Sequence, residues 1–179
     1  MPRETISRDT ISGAVVVFRL AGGSYALPVP AVRECVPMPA LSRPPGTPAP
    51  VLGYFRLGGE RVVAIDLAVL LGLRPWAAPD EAVMLYRPLL LCGQAGGTRV
   101  AFMVDSVLDV RPQAGPASAL PADGAPAGDW LVGEIELDGG MTALLMDPDR
   151  LLIERERQRI GHLASARDQR AALWGDGDV

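Results

Sequence analysis

Lysine is absent: all 17 basic residues are arginine, against 21 acidic ones, for a net charge of −4 at pH 7. That balance argues against a grip on nucleic acid, which needs clustered cations to displace counterions from phosphate. Arginine suits bidentate contact with carboxylates, although the missing lysine, with the surplus of alanine, glycine and proline, reads first as GC-rich coding. Histidine is almost missing too. The single copy, His162, lies among arginines without a partner at metal-ligand spacing and reads as a surface residue. There are two cysteines, Cys35 and Cys92, each beside apolar residues. They are expected to be buried free thiols in a reducing compartment, with a disulfide between them as the alternative. No apolar run approaches the about 20 residues that cross a bilayer, and the start Met1-Pro2-Arg3-Glu4-Thr5 has no apolar run behind it. Neither membrane insertion nor a secretory signal is expected, which places the chain in the cytoplasm.

Catalytic constellations are equally scarce. No serine or cysteine sits in a nucleophile elbow, and Gly93-Gln94-Ala95-Gly96-Gly97 precedes a strand pattern, which makes it a hairpin turn rather than a phosphate loop. Asp66, Asp105 and Asp147 are the carboxylates that could work as a pair. Asp66 and Asp147 stand at capping positions, and the flanks of an aspartic protease are missing. No enzymatic activity, metal or cofactor is implied.

What the chain does have is short β-prone runs separated by glycine pairs. Gly58-Gly59 turns one apolar run into another, and Val62 to Ile65 is a β-branched run suited to a half-buried strand. Asp66 stops it, with a carboxylate placed to cap a short helix from Leu67 and Gly72 placed to close that helix. Earlier, Val15–Leu20 and Tyr25–Val29 form a hairpin, with Pro28 and Pro30 predicting that the second strand lies at an edge or ends early. Val32 to Val36 alternates apolar and polar, which puts Arg33 and Glu34 on opposite faces of a regular strand. Residues 37–50 are too rich in proline for ladder or helix and form an extended connector. Residues 73–88 read as a linker with a weakly helical middle, and residues 112–129 as a mobile connector.

The pattern occurs twice. Gly22-Gly23 and Gly96-Gly97 each turn a hairpin, Leu57-Gly58-Gly59 matches Leu137-Asp138-Gly139-Gly140, and Ile65-Asp66 with Leu70-Leu71 matches Met146-Asp147 with Leu151-Leu152. The repeats span about 13–76 and about 85–153. Two sets of short strands at this spacing suggest two small barrels, because closure removes exposed edges; a single sandwich is the second reading. Val100 to Asp105 returns from the second glycine pair, and Val107 and Val110 are expected in the core. Asp147-Pro148 signals a helix start, with a helix running from Pro148 to about Trp174. Ile160, Leu163, Ala164, Arg167, Ala171 and Trp174 would form its apolar stripe, packed on its own barrel in preference to a partner, and Gly161 is a candidate break. Residues 1–12 and 175–179 are expected to be disordered.

Without catalytic groups, surface for a partner remains. Arg33, Glu34, Arg56 and Arg61, with the apolar Val36, Leu52 and Tyr54, surround the hairpins of the first half, beside glycines that let another backbone approach. Phe18-Arg19-Leu20, Tyr25-Ala26-Leu27-Pro28-Val29, Val32-Arg33-Glu34-Cys35-Val36, Pro48-Ala49-Pro50-Val51-Leu52-Gly53, Val62 to Leu67 with Leu71-Gly72, Val104-Asp105-Ser106-Val107, Gly133 and Leu144-Leu145-Met146-Asp147 follow one another in a familiar order. In that order and spacing, residues 13–153 resemble the CheW family of chemotaxis coupling proteins.

The resemblance implies an all-β fold of two intertwined five-stranded SH3-like barrels with short capped helices and, here, a C-terminal helix within 154–179. It implies a non-catalytic adaptor between the tips of methyl-accepting chemotaxis receptors and the regulatory domain of a CheA-type histidine kinase, located at receptor arrays. It also points to Arg33, Glu34, Val36, Leu52, Gly53, Tyr54, Arg56, Gly58 and Arg61 as partner-binding positions. One departure stands out: where the family has Gly-x-x-Asn-x-Arg-Gly, with the arginine implicated in receptor contact, this chain has Gly53-Tyr54-Phe55-Arg56-Leu57-Gly58-Gly59. Arg56 stands at the asparagine position and Gly58 at the arginine position. Two variants follow: an auxiliary regulator that binds the kinase but not ordinary receptors, and a regulator of another two-component pathway. A ligand-binding or enzymatic barrel is the competing class.

Overall fold

A computed structural model describes residues 13–78, 80–95, 98–120, 128–137 and 139–174, without the side chains of residues 94, 95, 154, 164, 167, 168, 171, 173 and 174. The expected disordered ends and the Gly96-Gly97 turn lie outside the described residues. The strands are β1 (Ala14–Leu20), β2 (Gly23–Pro28), β3 (Val32–Val36), β4 (Val51–Leu57), β5 (Glu60–Asp66), β6 (Leu89–Ala95), β7 (Thr98–Met103), β8 (Ser106–Pro112), β9 (Leu131–Leu137) and β10 (Met141–Met146). The helices are α1 (Leu67–Leu70), α2 (Glu81–Met84) and α3 (Glu154–Trp174).

Glycine sets the turns where the sequence required positive φ: Gly58 and Gly59 stand at 58° and 83°, Gly139 and Gly140 at 88° and 74°. The strands assemble into two five-stranded sheets ordered β8-β1-β2-β10-β9 and β3-β6-β7-β5-β4. Neither sheet is one half of the repeat. Each takes a hairpin from one half and three strands from the other, and each has one parallel pair, β2 with β10 and β5 with β7. Beyond β3 the chain bridges Ser42 to Tyr54, and beyond β8 it bridges Gln113 to Leu137 and Ser118 to Glu134. The continuation of one end strand thereby meets the other end strand and curls each sheet towards a barrel.

Three apolar clusters follow. Val15, Val17, Ala26, Ile135, Leu137 and Leu145 fill the first barrel; Leu52, Phe55, Val62, Leu89, Leu91 and Met103 fill the second. The largest lies between them, where Phe18, Tyr25 and Leu27 of one sheet meet Ile65, Leu90 and Phe102 of the other. Tyr25 is 6.3 Å from both the Phe18 and Trp130 rings, centroid to centroid, so aromatic contacts join the first hairpin to the residue before β9.

Several local expectations change. β2 ends early, at Pro28, the second of the two outcomes expected; it lies inside its sheet between β1 and β10, and its pairing with β10 involves Tyr25 and Ala26 and leaves Pro28 out. Arg33, Glu34 and Cys35 are all exposed on β3, an end strand with a register shift between Val32 and Glu34, so β3 does not alternate between wet and buried faces as expected. Cys35 is therefore exposed and only Cys92 is buried; both are free. Val110 is 56% exposed, not core, because β8 is the end strand of its sheet. Asp147 caps a turn, accepting from the Asp149 amide at 3.0 Å, and the helix begins only at Glu154. Leu151 and Leu152, in the stretch between that turn and α3, are both buried in the inter-barrel core. α3 runs through Gly161 without a break and buries Ile160 in the inter-barrel core. It packs on β6 and β7, in the sheet that does not contain β10.

Candidate partner-binding face

The β4–β5 hairpin projects a charged tip. Arg56 and Arg61 are direct cross-strand partners, as are Leu57 and Glu60. A like-charge pair in that position costs up to about 1 kcal/mol relative to a neutral one. The Arg56 guanidinium folds back over the turn, Nη1 donating to the Gly59 carbonyl at 3.2 Å, so its charge sits at the tip although its Cα is two residues earlier. Glu60 pairs with Arg99 of the neighbouring β7. The register puts Arg33, at the start of β3, at this same end of the second barrel, where Val32 is opposite Cys92. Arg33, Arg56, Arg61 and Arg99 thus outnumber Glu34 and Glu60 on and beside one rim, which suits an anionic partner surface.

The apolar candidates do not join this rim. Val36, Leu52 and Tyr54 are 8%, 3% and 4% exposed: Val36 and Leu52 lie inside the second barrel, Tyr54 in the inter-barrel core. They position the strands rather than offer an exposed patch. Gly53, with φ of 156°, is buried, and a Cβ there would come within 3.0 Å of the Ser42 carbonyl oxygen. Gly58 is exposed with open space around it and φ of 58°.

At the opposite end of the barrel a network tied to the inter-barrel crossover was only partly visible in the sequence. The Asp66 side chain caps α1, accepting from the Val69 amide at 3.2 Å, and its second oxygen pairs with Arg74 Nη2 at 2.5 Å. Arg74 Nη1 and Arg87 Nη1 reach Asp105 Oδ1 at 3.7 and 3.3 Å. Asp105 Oδ2 accepts from the amide of Ala21, in the first barrel's β1–β2 turn, at 2.7 Å. Asp105 therefore joins both ends of the 74–87 segment to the other barrel. Val104-Asp105-Ser106 carried that signal, but its partners are distant in sequence. The 74–87 segment also shows exposed Val83, Leu85 and Tyr86 on and after α2, and the Arg43 guanidinium lies 4.8 Å from the Trp76 ring centroid.

Burial pushes the Cys92 thiol up to about 12, and partial burial also raises that of Cys35. Neither is the lowered, thiolate-prone kind that nucleophilic work requires. Among the described residues no group of three His, Cys, Asp or Glu side chains could hold a metal ion, and no helix is long and apolar enough to cross a membrane.

The sequence matches the family model of the CheW-like domain over residues 14–156. No curated protein matches it. Among solved structures, the fold is similar to that of the scaffolding protein TtCheW from Thermoanaerobacter tengcongensis, with a TM-score of 0.60 at 20% identity, over 81% of this chain and 90% of that one. With its two five-stranded sheets and a family match over most of its length, the chain belongs to the CheW-like domain family.

Proposed function

We propose that the chain joins the tips of methyl-accepting chemotaxis receptors to the regulatory domain of a CheA-type histidine kinase, as an adaptor working in the cytoplasm at receptor arrays. The observation that carries this reading is the family match over residues 14–156. The arginine-rich rim around Arg33, Arg56 and Arg61, with Glu34 beside it, is the face assigned to partner contact. Charged rims of this kind govern encounter rate and orientation more than total affinity. Co-sedimentation with receptor fragments and with the kinase regulatory domain, singly and together, tests the proposal: a ternary pellet supports it, and failure to join both partners overturns it.

Gly58 favours a second reading, an auxiliary adaptor that binds the kinase but not ordinary receptors, because the family pattern has arginine there. In the same assay that protein would pellet with the kinase domain alone. A place in another two-component pathway would appear as binding to a kinase regulatory domain without any chemoreceptor.

A further inference from the structure

The last helix carries a charged face that its packing on the barrels does not use. Ile160 occupies the inter-barrel core, so one side of α3 is covered. Arg155, Arg159, His162, Ala166 and Arg170 follow one another at helical spacings of three and four, and all five are exposed. Arg157 is different: it donates to the carbonyls of Leu152 and Asp149 and is turned back onto its own chain. Among the described residues, Arg155, Arg159 and Arg170 have no ion-pair partner. Arg155 and Arg159 repel at i,i+4, and Arg155 lies in the first turn, where the helix dipole disfavours a cation.

We propose that this stripe is a docking face for an acidic α-helix of a partner protein, with two carboxylates one turn apart to face Arg155 and Arg159 and a third three turns further on to face Arg170. Guanidinium groups can pair bidentately with carboxylates, and two helices in contact read each other at that spacing. A lipid surface fits less well: the apolar side of α3 is already packed on β6 and β7, and the only apolar member of the stripe is Ala166, which leaves little to insert. Nucleic acid fits less well again, since three arginines on a chain of net charge −4 release few counterions. The proposal does not depend on the receptor and kinase contacts, which are assigned to the β4–β5 end.

The test uses the full chain and a synthetic alanine-rich helix with glutamates at spacings of four and eleven, to match Arg155, Arg159 and Arg170, beside an isomer of the same composition with those glutamates scattered around the helix. Fluorescence anisotropy should show tighter binding of the patterned helix, weakening with salt. Arg155→Glu/Arg159→Glu/Arg170→Glu should lose at least about tenfold in affinity, with circular dichroism and thermal midpoint showing that the fold is kept. The triple alanine variant, which raises helix propensity, should also lose binding, so a folding defect in the first variant leaves the proposal testable. Equal binding of the two peptides, or binding retained by the alanine variant, overturns it. So does binding of phosphatidylglycerol vesicles or duplex DNA as tightly as the patterned helix.

Discussion

Gly53 in β4 and Gly133 in β9 hold the same place in the two barrels: a Cβ on either would run into the carbonyl of a serine, Ser42 for Gly53 and Ser118 for Gly133. Each serine exchanges both backbone hydrogen bonds with the residue after the glycine, Ser42 with Tyr54 and Ser118 with Glu134. The closing seam of each barrel therefore relies on a missing side chain. The added Cβ would lie 3.0 Å from the Ser42 oxygen but 2.2 Å from the Ser118 oxygen. Gly133→Ala should accordingly destabilise by about 1–3 kcal/mol as an overpacked site, at least as much as Gly53→Ala. Urea unfolding of both variants checks the order; a neutral Gly133→Ala would mean that the seam can open without cost.

Asp66 does two jobs, and substitution can separate them. Asp66→Asn keeps an oxygen for the Val69 amide but loses the ion pair with Arg74, whereas Asp66→Ala loses both. Alanine should cost about 1–3 kcal/mol, a cap together with a hydrogen bond to a charged group, and asparagine distinctly less. A double-mutant cycle with Arg74→Ala should show coupling, because the two residues touch. Additive effects would mean that the bond contributes nothing.

The two thiols should separate by reactivity. With native protein at pH 8, iodoacetamide should modify exposed Cys35 and leave buried Cys92 untouched, while unfolded protein takes two equivalents by mass. The folded state keeps the Cys92 proton up to about pH 12, whereas an unfolded thiol releases it near 9.0. The contribution to stability is thus complete below about pH 9 and lost as the pH climbs towards 12. Unfolding free energies of Cys92→Ala should fall less steeply than wild type across that window.

Arg56 and Gly58 give opposite predictions for binding. Arg56→Ala should weaken salt-sensitive partner binding about two- to fivefold, the effect of one exposed charge contact. Gly58→Arg would add the charge found in the family pattern, but at φ of 58° it also carries left-handed strain of about 1–2 kcal/mol. Receptor binding and thermal stability should therefore be measured together. A gain in receptor binding despite lower stability supports the auxiliary-adaptor reading, and unchanged binding argues against it.

The parts of the fold legible in the sequence are those whose cause is local. The Gly58-Gly59 turn needs positive φ, and Asp66 caps the helix that follows it, so a few adjacent residues determine each. Asp147 carries much the same signal, but it caps only a turn, and the helix starts at Glu154 after Leu151 and Leu152 have entered the inter-barrel core. The exchange of hairpins leaves no local trace, because Val15 pairs with Arg111 across most of the chain. Val36, Leu52 and Tyr54 looked like a patch because charged residues stand near them. In fact β4 is buried on both sides from Val51 to Phe55, once inside its barrel and once against the other, which removes the alternation that marks a wet face. The rim is read more easily: Arg33 and Arg56 were legible as charges near turns, while Arg99 was missed because its partner Glu60 belongs to a different hairpin.

The strand orders also set a timetable for synthesis. β3 to β7 are consecutive, so the second sheet can form while the ribosome is still making β8. The first sheet brackets it in sequence: β1 and β2 are made early, but their neighbours β8 and β10 come last. Until then Phe18, Tyr25 and Leu27 lack part of their cover, and pairing across so long a loop is slow. A nascent chain stopped before β10 would hold one finished sheet and a three-stranded β8-β1-β2 piece with an open edge on β2, the species most open to aggregation or to exchange with a neighbouring chain.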